Sequence, residues 1–280
     1  MKKIRLFLSA ALMMAALGFI ACSHSVSGST SAPETTGNSS DTSENNVDTE
    51  TDGIRGQKGD GYQVGDIVLN DGSFLRDVTR ISDDDKAKAI AVIYKVDGTK
   101  AYGVGLVHED GLKWCLETAN GYDTRFRNLV CKVDKNDSDL SITGDTDGSD
   151  NFEKIGEALI AAGKTDDTGI EGNYPAFEFA KNYKNQPNSH VSGTEYEDGW
   201  YLPSISELYD IWKVKDSVDA TRGLCTGGAS FVGDSYWSSS QFCLHENFAY
   251  ALNFSDGDWR RCNINKNCED QQVCCVRVFE

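Results

Sequence analysis

The chain has 280 residues, of which 44 are acidic and 27 basic, and its formal net charge is −17. So acidic a protein repels phosphate groups, which argues against a nucleic acid partner. The sequence carries no H-E-x-x-H zinc motif, no phosphate-binding loop and no G-x-S-x-G nucleophile motif. We therefore expect no catalytic residue, no cofactor and no metal centre, and we do not expect an enzyme.

The first 21 residues combine a cationic start with an apolar run over residues 6–21. This run is shorter than the roughly 20 residues that span a bilayer, which favours a signal peptide over 1–21 rather than a short transmembrane anchor. It ends in "GFIAC", which resembles a bacterial lipobox and predicts lipidation at Cys22; simple secretion is the alternative. Acyl chains on Cys22 would hold the protein at the bacterial outer membrane, exposed to the exterior.

Residues 22–60 form a second segment of distinct composition, rich in Ser, Thr, Asn and acids. Such a segment cannot bury enough apolar surface to offset its ordering entropy, so we predict a disordered linker that ends in the Gly-spaced "GIRGQKGDG". From Gly61 onward the composition is globular, and residues 61–280 are long enough for one domain with a sizeable core.

The cysteines of this domain are even in number once Cys22 is set aside for lipidation. In an oxidising compartment an even number favours disulfides, although the pairing cannot be read from sequence. No two of them have C-x-x-C spacing, so we do not expect a zinc site. They are Cys115, Cys131, Cys225, Cys243, Cys262, Cys268, Cys274 and Cys275.

The first elements of the domain are predicted to be strands. Residues 63–74 alternate and then turn at Asn70-Asp71-Gly72, which predicts a hairpin. Apolar, β-branched runs on both sides of Asp97-Gly98 predict a second hairpin, and residues 112–117 are predicted as a further strand.

Helices follow, and then strands again. A helix is expected to follow the acids near residue 150 and to end at Gly163, and a second helix is expected within 174–184. Ser204 and Glu207 form a capping box that begins a third. "FAYALNF" and "VCCVRVF" are predicted as late strands, and this order of elements argues for an α+β fold.

Four acidic side chains surround the predicted start of the first helix. Their oxygens suit calcium, which prefers hard ligands, but the spacing of Gly148 does not fit an EF-hand. Helix capping explains the acids equally well, so both interpretations stay open. The four are Asp145, Asp147, Asp150 and Glu153.

Four motifs occur in order from residue 199 to the end of the chain: "GWYLPSISEL", "YWSSSQ", "ALNFSDG" and "CVRVF". Together they resemble C-type lectin domains of the formylglycine-generating-enzyme subtype. More closely, they resemble the variable proteins of diversity-generating retroelements, of the treponemal surface-lipoprotein type. The resemblance covers about 61–280 and implies a C-type lectin-like fold with a C-terminal variable region at about 236–279.

In that family a reverse transcriptase miscopies template adenines, so that Asn codons of the form AAY become NNY. NNY never encodes Met, Lys, Gln, Glu or Trp, which assigns these residues of the region to the framework: Gln241, Glu246, Trp259, Lys266, Glu269, Gln271 and Gln272. Permitted residues cluster between them in predicted loops, and we expect these to bind ligand: Phe242, Cys243, Leu244, His245, Ser255, Asp256, Asp258, Arg260, Arg261, Cys262, Asn263 and Asn265.

The resemblance implies a monomeric, lipid-anchored surface protein that binds an extracellular protein or glycan through these residues. If they are displayed, the core should instead hold Trp200, Leu202, Trp237, Tyr250, Leu252 and Phe254. Two alternatives stand beside this interpretation. One is a secreted adhesin with an ordinary disulfide-rich C-terminus and no diversification. The other is a formylglycine-generating-enzyme-like oxidase or hydroxylase that uses Cys262 with Cys268, or Cys274 with Cys275.

Overall fold

Two β-sheets and five short helices make up the described part of the chain, which confirms the α+β class. The structure is a computed structural model, and it describes residues 50–136, 139–231, 235–257 and 263–280. The predicted signal peptide at 1–21, Cys22 and the linker up to residue 49 lie outside the described residues. None of the helices in the described ranges is long and apolar enough to cross a membrane.

The first sheet has six strands, and all its neighbouring strands are antiparallel. Both predicted hairpins are present in it, and the glycines of their turns, Gly72 and Gly98, have φ angles of 84° and 62°. Only glycine enters this left-handed region without strain. In spatial order the strands are β1 (Ile54–Gly56), β3 (Phe74–Arg76), β2 (Ile67–Leu69), β4 (Ala89–Asp97), β5 (Lys100–Gly105) and β11 (Val276–Phe279).

The second sheet has five strands, and three of them come from the predicted variable region. The pairing of β6 with β8 is parallel and the other pairings are antiparallel. In spatial order the strands are β10 (Asn263–Asn265), β9 (Phe248–Asn253), β8 (Ser235–Phe242), β6 (Val130–Asn136) and β7 (Asp139–Gly144).

Residues 112–117 form no strand, so that prediction is wrong. Trp114 and Cys115 are adjacent in sequence and both are buried, which a strand with one exposed face does not allow. They are held by contacts to the second sheet: the Trp114 indole N–H donates to the carbonyl of Ser238 at 3.0 Å, and the Cys115 N–H donates to the carbonyl of Lys266 at 3.1 Å.

The three predicted helices are present, and two others accompany them. The helices are α1 (Asp83–Lys86), α2 (Asn151–Ala161), α3 (Pro175–Lys181), α4 (Ile205–Lys213) and α5 (Lys215–Arg222). The capping box begins α4 as predicted: the Ser204 hydroxyl accepts from the Glu207 N–H at 3.2 Å, and the Ser204 N–H donates to the Glu207 carboxylate at 2.8 Å.

The expected core is confirmed, since all six of the predicted residues are buried: Trp200, Leu202, Trp237, Tyr250, Leu252 and Phe254. β9 is covered on both faces. Its small residues, Ala249 and Ala251, pack in one apolar cluster, while Tyr250 and Leu252 pack in a second. β9 therefore lies between two cores, which fixes the position of the loops at its ends.

The folded domain begins before Gly61, so the predicted linker boundary at residue 60 is wrong. β1 pairs with β3, and its register places Ile54 opposite Arg76. Beside it, Arg55 pairs with Asp85 at 2.5 Å, and the Thr51 hydroxyl donates to the same carboxylate. The composition concealed this strand because polar contacts hold it at the sheet edge, while the side chain of Ile54 is 54% exposed.

The cysteines of the described ranges are all free thiols, which contradicts the expected disulfides for them. Five of them are buried, where a cysteine packs as a small apolar side chain. The seven are Cys115, Cys131, Cys225, Cys243, Cys268, Cys274 and Cys275. Cys262 lies outside the described residues.

Candidate functional site

The last residue of β8 and the turn that follows it carry four of the predicted ligand residues. Leu244 is 66% exposed and His245 is exposed as well, while Cys243 is half-buried. Phe242 is only 8% exposed, and its ring packs edge-on against Tyr250 with centroids 5.2 Å apart. The prediction that Phe242 belongs to an exposed surface is therefore wrong, because β8 is covered on both faces up to its last residue. We call residues 243–247 the hairpin tip.

Arg125, far away in sequence, holds the hairpin tip through its backbone. Its Nη1 donates to the carbonyl of Cys243 at 2.9 Å, and its Nη2 donates to the carbonyl of Leu244 at 3.2 Å. Its Nε lies 3.3 Å from the carboxylate of Glu246. Sequence reasoning missed Arg125, since "DTRFRNLV" contains no motif that marks it.

Gln241 supports the tip from inside the protein. Its side chain is fully buried, and its Oε1 accepts from the Phe126 N–H at 2.6 Å. Its Nε2 donates to the carbonyls of Thr124 at 2.8 Å and Glu246 at 2.7 Å. Both amide hydrogens are thus used, and no other side chain supplies this donor and acceptor set at the same length.

Lys266 is a second fully buried support. Its ammonium donates to the carbonyl of Gly121 at 2.7 Å and lies 4.6 Å from the ring centroid of Trp114. Burial lowers the pKa of this amine to about 7. The backbone N–H of Lys266 donates to the carbonyl of Asn247 at 3.0 Å, which ties β10 to the hairpin tip.

The residues that NNY cannot encode do not share one environment. Gln241, Lys266 and Gln271 are buried, Gln272 is half-buried, and Glu246 and Glu269 are exposed. Trp259 lies outside the described residues.

A second group of predicted ligand residues follows β9. Ser255 and Asp256 are exposed, and the Ser255 hydroxyl donates to the side-chain oxygen of Asn253 at 2.5 Å. Ser255 borders a hollow of ≈ 680 Å³ formed mainly by residues 212–217. Asp258, Arg260, Arg261 and Cys262 lie outside the described residues.

The strand register separates these two groups. In the β8–β9 pair, Gln241 lies opposite Ala249 and Ser235 opposite Asn253, so Ser255 and the hairpin tip are at opposite ends of β9. β9 has six residues and spans roughly 17 Å at about 3.3 Å per residue. The half-buried Asn265 lies opposite Phe248, at the tip end, and Asn263 lies opposite Tyr250. The described ligand residues therefore form two patches.

The acids near α2 are not arranged as a cation site. The Lys154 ammonium lies between two of them, 3.2 Å from Asp145 and 2.7 Å from Asp150. Asp150 is the residue before the helix, but its side chain makes no capping hydrogen bond, so the capping interpretation is wrong for it. Across the described ranges, no group of three or more acidic, histidine or cysteine side chains is placed to hold a metal ion.

A cavity of ≈ 750 Å³ is lined by none of the predicted ligand residues that the structure describes. Phe152 on α2, Phe177 on α3, Trp200 and Tyr201 contribute aromatic walls, and Lys181 stands beside them. A cavity of this size is within the range of small-molecule pockets. Sequence reasoning missed it because its aromatic residues lie on separate elements and are read locally as core positions.

The C-terminal cysteine pair has the electrostatics of packed core thiols. Burial raises the pKa of Cys274 to about 12 and raises that of Cys275 further above its usual range. Both thiols are protonated at neutral pH, whereas a reactive cysteine needs thiolate character. Cys268 is half-buried, with its sulfur 3.7 Å from Asp270. The oxidase interpretation thus gains no support at Cys274 and Cys275.

No protein-family model and no curated protein matches the chain. The resemblance to retroelement variable proteins therefore rests on the motifs quoted from the sequence.

Proposed function

We propose that the protein is a lipid-anchored surface protein with a C-type lectin-like fold of the formylglycine-generating-enzyme subtype. Its C-terminal region, about 236–279, is diversified by a retroelement and binds an extracellular protein or glycan. The protein acts as a monomer, is anchored through Cys22 at the outer membrane, and uses no cofactor.

The contrast between two buried supports of the hairpin tip and its two exposed residues of permitted type carries the proposal. The supports Gln241 and Lys266 are of types that NNY cannot encode, and they are fully buried and hydrogen-bonded. Leu244 and His245 are of permitted types and face solvent. A surface that must change its side chains without unfolding needs this separation, because substitutions at exposed sites typically change stability by within about 0.5 kcal/mol.

The DNA around the gene tests the proposal. We expect a near-identical template repeat beside a reverse-transcriptase gene, with adenines at the first two codon positions that match Leu244, His245, Ser255 and Asp256. The codons for Gln241 and Lys266 serve as controls and should be identical in template and gene. A complete locus without such a repeat, or with its adenine differences at Gln241 and Lys266, would contradict diversification.

A further inference from the structure

Four hydrogen bonds hold the hairpin tip by its backbone carbonyls. Arg125 donates to the carbonyls of Cys243 and Leu244, Gln241 donates to that of Glu246, and the Lys266 N–H donates to that of Asn247. A carbonyl oxygen is present whatever side chain the residue carries. These hydrogen bonds therefore constrain the path of the tip without constraining its side chains.

The backbone on both sides of Arg125 is held by the buried amide of Gln241. The carbonyl of Thr124 accepts from Gln241, and the N–H of Phe126 donates to the same amide group. Phe126 is fully buried, with its ring stacked at 6.2 Å from Trp114. The guanidinium thus extends from a fixed segment, and its planar fork delivers two donors in a set geometry that an ammonium cannot match.

Because the Arg125 side chain is partly exposed, its contacts should affect the order of the hairpin tip more than the stability of the domain. The side chain of Arg125 is 39% exposed and that of Glu246 is 48% exposed, so their ion pair is screened by solvent. The tip carbonyls of Cys243 and Leu244 would find water if the guanidinium were removed. Loss of Arg125 should consequently change the order of the tip more than the stability of the domain.

We infer that Arg125 is a positioning residue that fixes the hairpin tip through its carbonyls, so that the exposed side chains of Leu244 and His245 are exchangeable on an unchanged backbone. That the tip is a ligand surface rests on the proposed function; the positioning itself does not. A tip that is ordered in advance loses less conformational entropy when it binds, which favours affinity.

Backbone ¹⁵N relaxation of the full chain tests this inference. In Arg125→Met, the order parameters of residues 243–246 should fall from about 0.85 to below about 0.6, the values typical of rigid and flexible backbone. The melting temperature should change no more than in the control Arg127→Met, which removes an exposed arginine of the neighbouring 127–129 turn. The double variant Leu244→Asp/His245→Ser, with two residues that NNY encodes, should keep the rigid values.

Three outcomes would overturn the inference. The first is a tip that stays rigid in Arg125→Met. The second is a tip that loosens as much in the double variant as in Arg125→Met, and the third is a tip that stays fully rigid in Arg125→Lys. Arg125→Lys separates charge from geometry: it retains the attraction to Glu246 but not the fork, so we expect an intermediate loss of order. Full rigidity in the lysine variant would show that the ion pair, and not the carbonyl contacts, fixes the tip. None of these measurements uses a ligand, so they stand whether or not the gene has a template repeat.

Discussion

Lys266 shows at the residue scale how the protein keeps a cation inside its core. Two backbone carbonyls and two aromatic rings, those of Trp114 and Phe126, surround the ammonium. Burial nevertheless lowers its pKa to about 7, compared with about 10.4 in an unfolded chain. The unfolded state therefore binds more protons than the folded state between these two values, and in this window stability rises with pH.

The effect can be measured against a variant that lacks the amine. We expect the free energy of unfolding of the wild type to rise relative to that of Lys266→Met as pH increases from 7 towards about 8.5. The relative gain is at most about 1.4 kcal/mol per pH unit for one proton. Urea titrations at several pH values measure this difference, and the exposed Lys181→Met serves as control. Parallel curves for the wild type and Lys266→Met would show that Lys266 does not titrate in this range.

The wild type is compared with Lys266→Met because other groups lower the stability of the protein as pH rises. Burial raises the pKa of Cys115 and Cys225 to about 12, whereas an unfolded thiol ionises near 8.5. Above that pH the unfolded chain holds fewer protons, so these thiols destabilise the fold. The wild type and Lys266→Met both contain Cys225, so its contribution cancels in the difference. Cys115 is coupled to Lys266, whose charge lowers the pKa of the thiol, so the comparison is made below pH 8.5, where an unfolded thiol is still mostly protonated.

At the element scale, the start of α4 is tied to a distant loop through one buried side chain. The buried carboxylate of Glu207 accepts from the Tyr201 hydroxyl at 2.7 Å, from the Ser204 N–H at 2.8 Å and from the Gly148 N–H at 3.0 Å. One side chain thus caps α4 and also fixes the loop before α2.

Removal of this carboxylate should therefore cost more than an ordinary cap. We expect Glu207→Ala to lower the free energy of unfolding by about 2 kcal/mol or more, since a lost cap costs about 0.5–2 kcal/mol and the buried donors lose their acceptor. Glu153→Ala, which removes an exposed acid from the first turn of α2, should stay within about 0.5 kcal/mol. Equal losses in the two variants, measured by denaturant titration, would contradict this role of Glu207.

The elements that the sequence predicted well have signals within a few neighbouring residues. Asp71-Gly72 and Asp97-Gly98 mark the turns of two hairpins, and the Ser204 capping box marks the start of α4. β1 and the loop at 112–117 depend on distant partners instead: β1 on Asp85 and β3, and Trp114 on Ser238. Local patterns cannot contain that information.

The candidate site shows the same limit. The exposure of Leu244 and His245 follows from their place in a predicted loop, and it was expected. The burial of Phe242 was not, because it depends on the layer that covers β8. The contact of Arg125 with the hairpin tip joins residues separated by 118 positions, and no spacing rule connects them.

At the scale of the whole molecule, the proposed anchor makes a prediction about location. Cys22→Ser should move the protein from the membrane fraction to the soluble fraction, because the remaining chain has only the short apolar run at 6–21 to hold it. Mass spectrometry of the wild type should find diacylglycerol on Cys22. An unmodified mature N-terminus at another residue would refute lipidation.

Protease added to intact cells should release the domain by cleavage in the linker, and full protection would contradict surface display.

The edge strand β1 would be the first strand to bear force if the protein is held by the proposed anchor at its N-terminal side. Tension between an anchor at Cys22 and a captured ligand would enter the described part of the domain at this edge, where Thr51 and Arg55 contact Asp85. The antiparallel pairing of β1 with β3 and the hydrogen bonds that Asp52 accepts from residues 79–80 also hold this segment. Once released and fully extended, residues 50–60 would span at most roughly 35 Å, at about 3.5 Å per residue. β1 would then detach before the rest of the fold under a sudden pull, and the two sheets that position the ligand surface would stay folded.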